Sequence, residues 1–294
     1  MPLGADGPFR LPLGSRQAPR AAGLTERAEG TLVLIGGATT APGEALARFV
    51  ALSGAAHGGR VFGITTASAD PAGAASLWRR DLAACGARDV FIPIVLGRDH
   101  AMNESLARQA READAIFLGG GDQVKLVTVL SGTPLERAIK EAYVRGAVVC
   151  GTSAGAAALT CTTLAGGEVD EEGNLVEMHI GPGLGLLGFD AVIDTHFTQR
   201  RRLHRLFVAI AGFPALLGLG IDEDTALVVR GHTGEVHGAG AVTFVDGRAI
   251  RFDNYDEIAH GRELTLSAMR VGLVGTGKQF DLRARELAML VGDS

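Results

Sequence analysis

The group best placed to do chemistry in this chain is a serine framed by glycines, Gly151-Thr152-Ser153-Ala154-Gly155. It follows the apolar run 147–150 and precedes A-G-A-A-A-L, a good helix former. G-x-S-x-G between a strand and a helix is the setting of a nucleophile on a sharp turn. Such a turn holds its central residue at strained backbone angles, so residues two positions away must lack bulk, as Gly151 and Gly155 do. The turn would present the Ser153 hydroxyl at the carboxyl edge of a sheet, where open α/β sheets bind ligands. It would also aim the Ala154 amide into the same space, near the positive end of the next helix, to meet an oxyanion. The plain alternative is a glycine-rich turn with an incidental serine. Cys150, in the strand before the turn, reads as core.

A serine nucleophile needs a base, usually histidine, oriented by a carboxylate. Among the downstream histidines, His179, His196, His204, His232, His237 and His260, His196 stands out. It follows A-V-I-D (191–194), read as a strand, and sits where that strand would end. Carboxylate candidates between the two include Glu168, Asp170, Glu171, Glu172 and Glu177, and spacing does not choose among them. The run E-V-D-E-E reads equally as an exposed acidic loop. G-G-G-D-Q (119–123) follows another strand, and its glycines would let backbone amides approach a ligand. The same run could be a simple strand-to-helix turn.

These residues need a scaffold, and the hydrophobic pattern supplies one. Apolar runs at 31–37, 60–66, 89–94, 114–121 and 147–151 read as strands, and 43–54, 71–86, 103–112 and 134–145 as helices. Short apolar strands separated by helices predict an α/β fold with a mainly parallel sheet covered on both faces. After about residue 225, short strands joined by H-T-G-E and V-D-G-R predict an antiparallel C-terminal extension. Residues 279–290 read as a closing helix. Residues 1–29, rich in Pro, Gly, Arg and Ala, read as a flexible arm before one catalytic domain over 30–294.

Composition narrows the partners. The 294 residues carry a formal net charge of −5, which gives no general attraction to nucleic acid or anionic membrane. The basic cluster Arg200-Arg201-Arg202 with Arg205 is local, and suits a small acidic group. Cys85, Cys150 and Cys161 form no C-x-x-C pair and no zinc spacing, so no metal or other cofactor is expected. The odd cysteine count favours reduced thiols and a cytoplasmic setting. Neither a signal peptide nor a membrane-spanning run is evident.

Five stretches, taken together, resemble cyanophycinase and its relatives in the serine peptidase family that includes aspartyl dipeptidase. They are G-G-G-D-Q (119–123), G-T-S-A-G-A (151–156), G-P-G-L-G-L-L (181–187), D-T-H-F-T-Q-R-R-R-L-H-R-L (194–206) and L-L-G-L-G-I-D-E-D-T-A (216–226). The resemblance implies a flavodoxin-like fold related to class I glutamine amidotransferases, and a homodimer. It implies Ser153 as nucleophile, His196 as base and, in ungapped alignment from Ser153, Glu171 as the acid, with Glu168 as fallback. Gly121 and Ala154 would supply oxyanion amides. Gln123, Asp194, Thr195, Arg200, Arg202 and Arg205 match substrate-pocket positions. The implied reaction is exopeptidase cleavage of cyanophycin, a poly-aspartate bearing arginine on each side chain, to β-Asp-Arg through an acyl-enzyme. Thr195 departs from the common D-Q-H-F and puts the substrate in question, so a paralogous α-aspartyl dipeptidase is one alternative. A second is an α/β-hydrolase-type esterase whose base comes late, at His260. A non-enzymatic binding protein on the same fold ranks last.

Overall fold

The computed structural model describes residues 10–11, 30–169, 175–260 and 262–287. In chain order they form β1 (Arg10–Leu11), β2 (Thr31–Ile35), α1 (Glu44–Leu52), β3 (Arg60–Ile64), α2 (Pro71–Ala84) and β4 (Asp89–Phe91). Then come α3 (Arg98–Ala101), α4 (Glu104–Glu112), β5 (Ala115–Leu118), α5 (Gln123–Leu130), α6 (Pro134–Val144), β6 (Val148–Thr152) and α7 (Ala154–Ala158). The helices begin where the sequence offers caps. Asp70, Asn103, Asp122 and Thr133 each accept a first-turn amide through the side chain, and Pro71 and Pro134 take first-turn positions that need no donor.

The second half adds β7 (Thr162–Val169), β8 (Leu175–Pro182), β9 (Ala191–Thr195), α8 (Leu203–Gly212) and β10 (Leu217–Ile221). It ends with β11 (Thr225–Arg230), β12 (Thr233–Gly238), β13 (Ala241–Asp246), β14 (Arg270–Gly275), β15 (Gln279–Asp281) and β16 (Glu286–Leu287).

Among the described residues, nine strands form the main sheet, in the order β4-β3-β5-β6-β2-β11-β12-β15-β16. Pairing is parallel from β4 to β2 and antiparallel from β2 onward. Alternate residues of β2 point to opposite faces. Leu32 and Leu34 join a core with α4, α5 and α6, whereas Val33 and Ile35 pack with Phe49 of α1 and Leu82 of α2. Both faces of the parallel half are therefore covered, which is why its strands read as unbroken apolar runs.

Two expectations change. The strands do not all join one sheet: β9 and β10 pair in parallel in a second sheet of order β9-β10-β13-β14. The closing helix expected over 279–290 is absent from its described part. Gln279–Asp281 pairs with β12, because Phe280 is needed in the core against Phe244, at a ring separation of 4.3 Å. Of the expected N-terminal arm, Arg10–Leu11 pairs with Met178 and His179 of β8, and residues 1–9 and 12–29 lie outside the described residues. No helix among the described residues is long and apolar enough to cross a membrane.

Candidate active site

β6 ends at Thr152 and α7 begins at Ala154, which leaves Ser153 alone on the turn at φ 51°, ψ −117°. That backbone is rare for a residue with a side chain and costs energy that the surroundings must repay. The glycines around it answer to close contact. A Cβ on Gly151 would lie 2.5 Å from the carbonyl of Gly155, and one on Gly155 would strike the Leu118 carbonyl at the end of β5.

Ser153 Oγ lies 2.9 Å from His196 Nε2, and His196 Nδ1 lies 2.6 Å from Glu223 Oε1. His196 follows β9 directly, and Glu223 stands two residues beyond β10. The parallel register pairs Thr195 with Ile221, so the two turns leave the second sheet side by side. Three residues at the end of β2 anchor all three turns. The Ile35 carbonyl accepts the Ser153 amide at 2.9 Å, the Gly36 carbonyl accepts that of His196 at 2.8 Å, and the Gly37 carbonyl accepts that of Asp224 at 2.9 Å. Gly37 itself, at φ 101°, has no room for a Cβ, which would run into the His196 ring.

The glycine loop 119–121 runs beside the serine: the Cβ position of Gly120 is 3.2 Å from Ser153 Cβ. Gly121 has φ 137°, and a Cβ there would strike the Ala67 carbonyl, so the place suits glycine alone. Ala154 opens α7, so its amide is a first-turn donor beyond reach of any helix carbonyl. Cys150 is fully buried in β6, and burial pushes its thiol well above the ordinary range, away from the thiolate a nucleophile needs.

Two arginines of the cluster, Arg202 and Arg205, face inward. Asp194, 2% exposed in the apolar run of β9, accepts Arg202 Nη1 at 3.0 Å, Arg205 Nε at 2.9 Å and also Arg205 Nη2. Arg202 also donates to the Thr195 carbonyl at 2.7 Å. Burial lowers the Arg202 pKa; Asp194 opposes that, and Arg205 and Arg200 add to it. Arg200 is exposed in the turn before α8. Thr195 is buried as the last residue of β9. Gln123 opens α5 and donates its side-chain amide to the Leu164 carbonyl of β7 at 3.0 Å.

Residues 32–237 match the model of peptidase family S51. The chain belongs to that family. It is a serine peptidase. Curated relatives include the cyanophycinase of Geminocystis herdmanii, 34% identical over 203 residues, which are 68% of this chain and 74% of the relative. That of Thermosynechococcus vestitus is 34% identical over 226 residues, 76% of this chain and 70% of the relative. A cyanophycinase of a Nostoc species is 35% identical over 225 residues, 76% and 75% of the two chains. The fold is also that of a crystallised peptidase from an acI-B1 Actinobacterium, at TM-score 0.62 and 20% identity over 87% of this chain and 98% of the other. A putative peptidase E from Listeria monocytogenes aligns at TM-score 0.52 and 16% identity, covering 72% and 99%.

In this peptidase, the carboxylate on His196 is Glu223, a residue the sequence reading passed over. Glu171 lies outside the described residues, and Glu168 falls in β7, paired with Glu177 of β8. The place given to Glu171 is thus taken by a residue 27 positions beyond the histidine. The signal was in the block 216–226, where an acid follows an apolar run just as His196 does.

The expected substrate clamp of Arg202 and Arg205 is closed on the chain's own Asp194. Arg202→Ala would strip a buried carboxylate of one partner and free the Thr195 carbonyl, a loss of about 1–3 kcal/mol. We expect a lower Tm, and equal losses of kcat/KM on an acidic peptide and on a neutral ester. A loss confined to the acidic peptide, with Tm unchanged, would instead put the Arg202 guanidinium on the substrate.

Proposed function

We propose that this chain is a cyanophycinase-like exopeptidase that hydrolyses aspartate–arginine polymer to β-Asp-Arg dipeptides through an acyl-enzyme. The observation that carries the chemistry is the continuous relay from Ser153 through His196 to Glu223. Ser153 Oγ attacks the scissile carbonyl as His196 Nε2 takes its proton. Glu223 holds the Nδ1–H and balances the imidazolium. The amides of Ala154 and Gly121 receive the oxyanion. His196 then gives the proton to the leaving amine, and a water, deprotonated by the same imidazole, releases the acyl group and restores Ser153.

The substrate reading rests on the cyanophycinases among the relatives. With Arg202 and Arg205 engaged by Asp194, the exposed Arg200 and Arg201 are the guanidiniums of the cluster left to meet a substrate carboxylate. The catalytic unit covers residues 30–294 and works in the cytoplasm, as a homodimer and without a cofactor. Thr195 and the inward-facing arginines favour one second reading, a dipeptidase acting on α-aspartyl peptides. Incubation with cyanophycin and with panels of α- and β-aspartyl peptides, followed by mass spectrometry, separates the two. Release of β-Asp-Arg is expected. Cleavage of α-aspartyl peptides with cyanophycin intact would replace the first reading with the second.

A further inference from the structure

We propose that Asp222 is a positioning residue for this reaction, locking the turn that carries His196 to the turn that carries Glu223. The inference rests on the Ser153–His196–Glu223 reading above. Each turn is only a few residues long and each holds a strained residue, His196 at φ 51° and Asp224 at φ 48°. The Glu223 side chain is 33% exposed, so its aim at His196 depends on its backbone rather than on packing around the carboxylate.

Asp222 directly precedes Glu223 and is 7% exposed. Its Oδ1 accepts the Thr198 amide at 3.1 Å and the Thr198 hydroxyl at 2.7 Å, two residues beyond His196. Its Oδ2 accepts the Ala241 amide, at the start of β13, at 3.2 Å. A second tie runs between the same turns: Gln199 Oε1 accepts the Glu223 amide at 3.1 Å. A buried carboxylate held by neutral donors fixes their relative position tightly, since each lost bond leaves an unpaired acceptor. Neither Asp222 nor Thr198 lies in the relay itself. Their role is to keep the carboxylate on the imidazole.

The test uses the full chain and Thr198, which is exposed and can be changed without opening the core. Thr198→Val removes the hydroxyl bond and Thr198→Ser keeps it. Each is made alone and in a Glu223→Gln background. One readout is kcat and KM on a soluble trimer of the aspartate–arginine repeat. The other, which needs no turnover, is the far-downfield proton NMR signal of the His196 Nδ1–H. We expect Thr198→Val to lower kcat roughly tenfold at unchanged KM, with Tm nearly constant, and to weaken the proton signal. Thr198→Ser should restore both. In the Glu223→Gln background Thr198→Val should cost nothing further, because there is no carboxylate left to aim.

Wild-type kcat and proton signal in Thr198→Val would overturn the lock. So would a change in KM alone, which would make Thr198 a substrate contact, or an equal loss in both backgrounds, which would make the lock a support of the fold. If the trimer is not cleaved, an unaltered proton signal in Thr198→Val overturns the lock, and a weakened one restored by Thr198→Ser supports it. Full activity in Glu223→Gln would bring down the relay and the lock together. A slow Glu223→Gln beside an unaffected Thr198→Val brings down the lock alone.

Discussion

Ser153→Ala is expected to lower hydrolysis by a factor on the order of 10⁴ to 10⁶ while leaving the fold in place. Alanine keeps the Cβ that rests against the glycine loop and removes only the oxygen 2.9 Å from His196. What remains is the catalysis that the oxyanion amides and substrate binding provide without a nucleophile. Ser153→Gly separates chemistry from strain. It should be equally inactive, yet more stable by about 1 kcal/mol, because glycine relieves a backbone held at φ 51°. Circular dichroism and thermal melts report the fold, and product release the chemistry. Near wild-type turnover by Ser153→Ala would remove it as nucleophile.

Glu223→Gln is expected to reduce kcat by roughly 10³ to 10⁴, with a smaller change in KM. The amide preserves the shape of the side chain but does not balance the imidazolium, and its NH₂ can turn His196 to the wrong tautomer. The lower end of that range reflects the 33% exposure of Glu223, where water screens part of the charge. Glu171→Gln is expected to be close to wild type, because His196 Nδ1 already has its carboxylate at 2.6 Å. The reverse pattern, a damaged Glu171→Gln beside an active Glu223→Gln, would return the acid to the 168–172 run.

The difference between the two carboxylates shows which parts of the candidate site's geometry were legible in sequence. Ser153 was, because its requirements are local: a strand, a glycine on each side and a helix. His196 was, because it ends an apolar run. Glu223 was missed because it reaches the histidine only through the parallel register of β9 and β10, two strands separated by α8. The acidic run 168–172 precedes His196 in sequence, whereas the fold brings the carboxylate from beyond it. The inward turn of Arg202 and Arg205 has a signal in the sequence. Asp194 interrupts a buried apolar strand, and a buried carboxylate needs a cation; Arg202 and Arg205 follow within 11 residues. The second sheet had no comparable signal, since an apolar run such as 191–193 fits either sheet. Residues 279–290 read as a helix in a window too short to outweigh the core's need for Phe280.

The anchoring of three turns on residues 35–37 also sets a time order. During synthesis the chain can build the main parallel strands, and with them the serine on its turn, once residue 158 has emerged. The imidazole and its carboxylate reach that serine only after β10 has been made and the second sheet has docked on the end of β2. A nascent or half-folded molecule therefore holds an unarmed serine. On this reading the capacity to cut peptide bonds arises only after the chain has been made through Glu223 and the second sheet has docked.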